Sequence, residues 1–404
     1  LSLLRESEPV VSLPEGANLD ELLETAERAM QTGDFETAAE ALEKLVEQEP
    51  QHTSGWSLLG RARLSALQVD EAIEAFEKQL EVNAYSEDAN LFLAMALAMK
   101  GDYEGAEAAA KRQLEINPLD YRARFALAQV YKESHRYEEA VAQLEALASQ
   151  RPDDLHVQQS LAEAYLETGL NEKALQTLEQ LADLEPIPFI WNNVAYLLAE
   201  KKVHLEQAQA WAESAVKQTA TDLGEVNLSD VSRKTLAAVS LLVASWDTLG
   251  WVYFQQGRIE EAEEYILAAW VTGQHATVGE HLAEIYETKG QHAKAESLRK
   301  LVEGAPRDVR GFSDFYQRNL AGQREKEKVV RVELKNVEEL QNMRTVKLAR
   351  RNKASGQAEF YVLLAPGPTV EEVKFISGSE ELKDWTETLK EAQFPVEFPD
   401  DTPT

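Results

Sequence analysis

The sequence contains no cysteine, and this absence excludes several kinds of chemistry. None of its 404 residues can form a disulfide, supply a thiolate ligand to a metal or act as a cysteine nucleophile. The 7 histidines are scattered along the chain. Glu280, His281 and Glu284 lie on neighbouring helical turns, but a lone histidine is a poor metal site, and an ordinary surface pair is expected. The sequence has no phosphate-binding glycine loop and no catalytic constellation. We therefore expect no catalytic residues, no metal, no cofactor and no enzymatic activity.

Positive charge is also in short supply. Lys and Arg number 41 against 71 Asp and Glu, which gives a formal net charge of −30. Such an acidic chain is repelled by phosphate backbones, so nucleic acid and anionic membranes are not expected as main partners. The longest uncharged apolar-rich run, residues 235–246, is too short to span a bilayer. Residues 1–18 lack the features of a signal peptide. The chain begins with Leu1 rather than methionine, which suggests a processed or partial product.

A repeat organises most of the chain. Small residues recur every 34 residues in two columns, and proline recurs at that interval in a third. The columns contain, in turn, Ala38, Ala72, Ala106, Ala140 and Ala174; Ala26, Gly60, Ala94, Ala128 and Ala162; and Pro50, Ala84, Pro118, Pro152 and Pro186. Small side chains allow two helices to pack closely, and proline ends the second helix because it has no amide hydrogen. One such helix pair cannot bury its apolar face alone, so a stack of pairs is predicted.

This pattern resembles the tetratricopeptide repeat (TPR) family. The second repeat has the family's residues in the family's order: Trp56, Leu59, Gly60, Ala72 and Phe76. A later repeat matches the family more fully, with Trp246, Leu249, Gly250, Tyr253 and Ala262. The resemblance covers residues 20–306. It implies a mostly α fold, a right-handed α-solenoid of about seven helix pairs, which usually binds another protein.

The first helix of the third repeat is apolar on all sides over residues 91–99. An apolar face of this kind has to be buried against something. In the family's fold the first helices line the concave surface, where methionines and aromatics suit a partner helix or peptide. The predicted partner-binding residues are Leu64, Leu91, Met95, Met99, Phe125, Tyr196, Trp251 and Phe254. Alternatively, these residues pack within the solenoid or against the C-terminal part of the chain.

The chain divides into four predicted segments. These are an extended N-terminal segment (1–18), the solenoid (19–306, with an insertion at about 220–240), capping and basic linker helices (307–343) and a small α+β domain (344–404). Residues 318–353 are net basic, and they either lie on the acidic solenoid or dock an acidic partner. A hairpin of strands 358–364 and 370–377 and a helix over 380–392 are predicted next. This order resembles the C-terminal domain of TonB-type energy transducers, with the last strand absent or supplied in part by residues 394–398.

The combination of segments is similar to the C-terminal half of large acidobacterial envelope proteins that carry a transglutaminase-like domain before their repeats. The tracts that carry this resemblance are 191–196, 246–253 and 358–401. It implies a location in the bacterial cell envelope or periplasm, with the cytoplasm as the alternative. We therefore expect a non-enzymatic interaction scaffold that binds a protein or peptide segment in its concave face. The alternative is a permanent structural subunit of a larger envelope or membrane-associated assembly.

Overall fold

The computed structural model describes residues 16–86, 88–224, 231–273, 275–302, 356–364 and 370–392, together with Leu13 and Pro399. The chain forms two compact units. Unit 1 includes the described residues up to Ala174, and unit 2 includes those from Leu175 onwards. The mostly helical, TPR-type solenoid and the small α+β region are confirmed. Most of the predicted N-terminal segment (1–18) and the whole of the predicted segment 307–343 lie outside the described residues.

Sixteen helices of the described part follow one another as eight pairs in chain order, one pair more than the expected seven or so. Unit 1 contains α1 (Leu19–Thr32), α2 (Phe35–Gln48), α3 (Gly55–Ser65), α4 (Val69–Val82), α5 (Ala89–Lys100), α6 (Tyr103–Ile116), α7 (Tyr121–Glu133), α8 (Tyr137–Gln150) and α9 (Leu155–Glu167). Helix α10 (Asn171–Leu184) begins in unit 1 and continues into unit 2. Unit 2 contains α11 (Pro188–Lys201), α12 (Leu205–Gly224), α13 (Arg233–Gln255), α14 (Ile259–Gly273), α15 (Ala276–Thr288) and α16 (His292–Val302).

The small-residue columns lie where the helices of a pair come closest. The five alanines of the first column are completely buried. In the second column, an added Cβ at Gly60 would lie 2.5 Å from Cε1 of Phe76, which is closer than two carbon atoms can approach. Position 60 therefore requires glycine opposite Phe76, whereas the other four positions of the column are buried alanines.

The turns between the helices of unit 1 share one backbone conformation. Gly33, Gly101 and Gly169 end first helices with φ of 77°, 85° and 73°, in the left-handed region that glycine adopts without strain. Leu67 and His135 take the equivalent places with φ of 61° and 59°. The turn geometry thus follows the repeat even where the glycine is replaced.

The predicted insertion at 220–240 lengthens two helices of unit 2. Helix α12 has 20 residues and α13 has 23. Ser232 caps α13 by accepting a hydrogen bond from the backbone amide of Thr235 at 3.3 Å. Residues 225–230, between the two helices, lie outside the described part.

Helix α13 has the length and composition of a membrane span over Lys234–Gln255, the single such stretch among the described residues. Half of this stretch is buried inside the protein. Its C-terminal half contributes Trp246, Leu249 and Val252 to the core of unit 2, together with the buried carboxylate of Asp247. These contacts identify α13 as a core helix of the repeat stack.

The C-terminal region contains a two-stranded antiparallel sheet. Strands β1 (Ala358–Leu364) and β2 (Val370–Gly378) pair with Val362 opposite Val373, and α17 (Trp385–Lys390) packs on β2. A helix was predicted over 380–392, but the observed helix is shorter, because residues Glu380–Leu382 form a 3₁₀ turn before α17 begins. The expected contribution of residues 394–398 to a last strand lies outside the described residues.

Candidate partner-binding faces

The first helices of neighbouring pairs contact one another directly. Helix α5 touches α3 and α7 in unit 1, and α13 touches α11 and α15 in unit 2. Among the described residues, no contact of similar extent joins two neighbouring second helices. In a curved stack, the elements approach most closely on the inner side. The first helices therefore lie on the inner side of each unit.

The unit-1 face is formed by side chains of α3, α5 and α7: Arg61, Leu64, Phe92, Met95, Arg122 and Phe125. Three of the predicted partner-binding residues belong to it. Leu64, Met95 and Phe125 are each partly exposed, so they present apolar surface while remaining anchored in the fold.

The prediction that Leu91 and Met99 bind a partner was wrong. Their exposed fractions are 1% and 5%, so neither side chain is available to a partner. Leu91 packs in one buried cluster with Ala123 and Ala126 of α7. The two alanines leave a space that the leucine fills, and this packing accounts for the apolar residue at position 91.

Two arginines approach the same aromatic ring on the unit-1 face. The guanidinium carbon of Arg61 lies 5.1 Å from the centroid of Phe92, and that of Arg122 lies 5.3 Å from it. The Arg122 guanidinium also lies 3.5 Å from the carboxylate of Asp88, which precedes it by 34 residues. No carboxylate within the described part of the chain forms an ion pair with Arg61. Sequence analysis missed this cationic feature because the three residues belong to three different repeats.

The unit-2 face is formed by side chains of α11, α13 and α15: Tyr196, Glu200, Trp251, Phe254 and His281. Tyr196 and Phe254, both predicted partner-binding residues, are partly exposed. Trp251 was predicted to face a partner as well, but it is only 7% exposed. Its indole is stacked on the rings of Phe254 and His281, with centroids 4.9 Å and 4.0 Å away, and this packing buries it.

His281 is the centre of a buried polar cluster in unit 2. Its Nδ1 lies 3.0 Å and 3.1 Å from the two carboxylate oxygens of Asp247, and each of these residues is 6% exposed. Its Nε2 lies 4.0 Å from Oε1 of Glu200, which also accepts a hydrogen bond of 2.9 Å from Trp251 Nε1. Burial lowers the pKa of His281, but the charges of Asp247, Glu200 and Glu284 outweigh it and hold this pKa above its ordinary value.

The sequence predicted an ordinary surface pair of His281 with Glu280 and Glu284. This prediction was wrong, because the main partner of His281 is Asp247. The imidazole is buried against Asp247, which lies 34 residues earlier in the chain. This separation equals the repeat period, so the sequence did contain a signal for the contact. Within the described ranges, no group of three or more His, Asp or Glu side chains is arranged to hold a metal ion.

Three family models match parts of the chain, and all three describe tetratricopeptide repeats. The TPR domain of cytochrome c-type biogenesis protein H matches residues 16–147. Two general TPR models match residues 133–186 and 243–269. These matches support the view that α1–α9 are TPR-type repeats. They also support a TPR-type packing of α13 on α14.

A TPR repeat-containing protein from Pseudomonas aeruginosa is 44% identical to the chain over 55 residues. The match covers 14% of this chain and 52% of that protein, so the chain spans about half of the relative's length.

Several solved structures are similar in fold. A tetratricopeptide repeat protein from Parabacteroides merdae has 16% identity and a TM-score of 0.46, covering 71% of this chain and 99% of its own. YrrB, a TPR protein with an unusual peptide-binding site, has 22% identity and a TM-score of 0.39, covering 46% and 93%. MamA from Desulfovibrio magneticus has 17% identity and a TM-score of 0.40, covering 43% and 98%.

Proposed function

We propose that the chain is a non-enzymatic interaction scaffold that binds a segment of another protein on the inner face of its helix stack. The observation that carries this proposal is the unit-1 face. There, Leu64, Met95 and Phe125 keep part of their apolar surface exposed on three successive first helices. Monomeric proteins bury most such side chains, and a row of them on adjoining elements is typical of a docking surface.

The chemistry of the unit-1 face suggests what the partner segment contains. Methionine and aromatic side chains adapt their shape to an apolar helix or peptide. Beside them, the guanidiniums of Arg61 and Arg122 lie on the ring of Phe92. Arg122 already pairs with Asp88, whereas Arg61 forms no ion pair among the described residues and can form a charge-assisted hydrogen bond with a carboxylate of a partner. We therefore propose a partner segment with apolar residues and at least one carboxylate group.

The test uses the full chain and a library of displayed peptides. Met95→Glu places a negative charge on the apolar part of the face, so we expect loss of the peptides that the wild type selects. Leu119→Glu is the matched control, because Leu119 is 80% exposed in the turn between α6 and α7. Selection of the same peptides by wild type and Met95→Glu, with unchanged helix content by circular dichroism, would contradict the proposal.

A second candidate function is a permanent structural subunit of a larger assembly. It is favoured by exposed apolar side chains that were not among the predicted partner-binding residues. Leu184, Ile187 and Phe189 are 40%, 43% and 55% exposed around the start of α11. A surface of this kind is usually covered in a stable complex. A stoichiometric complex that survives high salt and gel filtration would favour this function over reversible peptide binding.

We also propose, from the sequence resemblance alone, that the protein acts in the bacterial cell envelope or periplasm and that its C-terminal region is TonB-like. The β1–β2 hairpin followed by α17 supports the second point as far as the described residues extend. Fractionation of native cells tests the location. Recovery of the protein in the cytoplasmic fraction alone would contradict it.

A further inference from the structure

We propose that His281 is a protonation-dependent latch in unit 2. With the imidazole charged, it ties α15 to α13 and α11, and loss of its proton loosens this contact. The proposal stands on a cluster of groups from three first helices, and it holds whether or not the inner face binds a partner.

The first element of the latch is the pair with Asp247. This carboxylate is 6% exposed, and among the described residues His281 is the group that hydrogen-bonds to it, at 3.0 Å and 3.1 Å. A buried carboxylate without a compensating charge is costly, because the protein interior solvates it poorly. A charged imidazole supplies that compensation across the α13–α15 contact.

The second element extends the latch to α11. Glu200 Oε1 lies 4.0 Å from His281 Nε2 and is held in place by the 2.9 Å hydrogen bond from Trp251 Nε1. Glu200 is partly exposed, with a side-chain exposure of 33%, so its attraction to the imidazole is weaker than that of Asp247. Its position still places a carboxylate on each side of the ring.

The third element is aromatic. The indole of Trp251 is parallel to the imidazole within 12°, with ring centroids 4.0 Å apart. The ring of Tyr196 lies 6.3 Å away at an angle of 42°. The face of an indole attracts a cation more than a neutral ring, so this stacking also favours the protonated histidine.

The groups that face His281 come from each of the three helices. Helix α11 contributes Glu200 and Tyr196, α13 contributes Asp247 and Trp251, and α15 contributes Glu284. The three charged groups among them are all carboxylates. Removal of the proton therefore takes away the positive charge between Asp247 and Glu200, and it leaves the buried carboxylate of Asp247 beside a neutral imidazole without a compensating charge.

The direction of the pH effect follows from linkage. When a histidine has a higher pKa in the folded protein than in the unfolded chain, its protonation stabilises the fold. This stabilisation is complete below the pKa of the unfolded state, near pH 6.5. The stabilisation is lost as the pH rises through the higher pKa that the histidine has in the folded protein. The latch is therefore closed in acid and open in alkaline solution.

The test measures the latch itself on the full chain, without a partner. Proton–carbon NMR from about pH 5 to about pH 9 follows each imidazole, and His281 is assigned by the signal that His281→Gln removes. We expect His281 to titrate above the ordinary histidine value. Hydrogen exchange, corrected for the intrinsic rate, should show a loss of protection in α15 of about tenfold or more as His281 loses its proton.

Variants separate the latch from general effects of pH. In Asp247→Asn, the titration of His281 should move down by about a pH unit or more, and the pH-dependent step in α15 protection should disappear. His292→Gln is the control, because His292 is an exposed histidine at the start of α16 that lies 2.6 Å from Glu287 of α15, outside the His281 cluster. It should keep both the titration and the step.

Two results would overturn the proposal. One is a titration of His281 at or below the ordinary histidine value in the wild type. The other is α15 protection that does not change across the titration. If His281→Gln does not fold, the titration shift in Asp247→Asn still decides between these outcomes.

Discussion

Ala140 shows how one side chain fixes the distance between two helices. Its methyl group is completely buried where the two helices of the fourth pair meet. The equivalent positions Ala38, Ala72, Ala106 and Ala174 are equally buried. At such a contact, every additional methylene has to displace the neighbouring helix, because protein interiors contain few voids.

A residue-scale prediction follows for Ala140→Leu. The larger side chain should force the paired helices apart and lower the free energy of unfolding by about 1–3 kcal/mol. Urea denaturation followed by circular dichroism measures this change. Ala142→Leu is the control, since Ala142 lies on the same helix and is exposed. Equal stability of the two variants would show that position 140 is not at the close contact.

At the scale of elements, the carboxylate of Glu107 connects three consecutive helices of unit 1. Glu107 on α6 accepts hydrogen bonds from Lys111 one turn later, from the Tyr131 hydroxyl on α7 at 3.0 Å, and from Arg136 just before α8. Burial raises the pKa of Glu107, but these donors outweigh it and lower the pKa to about 2. The helices are thus joined by polar contacts at the edge of an alanine-rich core.

The Glu107 contacts predict an acid-sensitive part of the stability. Because the pKa is lower in the folded protein, the stabilisation is present above the ordinary value of 4.5 and is lost as the pH falls towards about 2. Glu107→Gln should therefore be less stable than the wild type at neutral pH, and the difference should shrink in acid. Thermal unfolding at a series of pH values measures it.

Glu104→Gln is the matched control for this prediction, because Glu104 lies on the same helix and is exposed. It should leave the pH dependence of the wild type in place. A difference between Glu107→Gln and wild type that stays constant from neutral pH to the acid limit would contradict the role given to the ionised carboxylate.

The apolar helices α5 and α13 illustrate what an element's composition does and does not reveal. The sequence predicted that α5 needs an additional apolar neighbour, and its longest uncharged apolar-rich run, residues 235–246, falls in α13. In the fold, Leu91 of α5 packs on alanines of α7, and the C-terminal half of α13 lies in the core of unit 2. First helices in a stack have neighbours on several sides, so their apolar surface exceeds one stripe.

At the scale of the whole molecule, the contacts within each unit are local in sequence. In unit 1, each helix from α1 to α8 packs on the next one, and the first helix α5 also contacts the first helices α3 and α7. In a stack of this kind, stability is approximately a sum of each pair's own stability and the contacts between neighbours. Removal of complete pairs from one end should therefore leave the remaining pairs folded.

This locality predicts a difference between two truncated chains. Residues 16–150 contain four complete pairs, whereas residues 16–133 end with α7 and lack its partner α8. The longer chain should keep its helix content per residue and unfold cooperatively in urea, and the shorter one should lose helix content beyond that of α8. Circular dichroism at equal concentrations measures this. Equal helix content per residue and equal cooperativity would contradict the locality.

The sequence by itself determined the helices, their pairing and the places of close contact. A period of 34 residues and a small side chain at each crossing are local properties, which each repeat expresses without help from distant parts of the chain. The β1–β2 hairpin could be predicted as well, because alternation along two short strands is also a local property.

Only the tertiary structure decided which side chains of the inner face are exposed. Leu91, Met99 and Trp251 have the composition of a binding surface, yet all three are buried, while Met95 and Phe125 are partly exposed. Alanines of α7 pack on Leu91, and the rings of Phe254 and His281 stack on Trp251. The approach of Arg61 and Arg122 to Phe92 was decided there too. So was the burial of the pair of His281 with Asp247, although their separation of one repeat period is visible in the sequence. Burial and pairing depend on the crossing geometry of three helices from different repeats, and the pattern within one repeat does not contain that information.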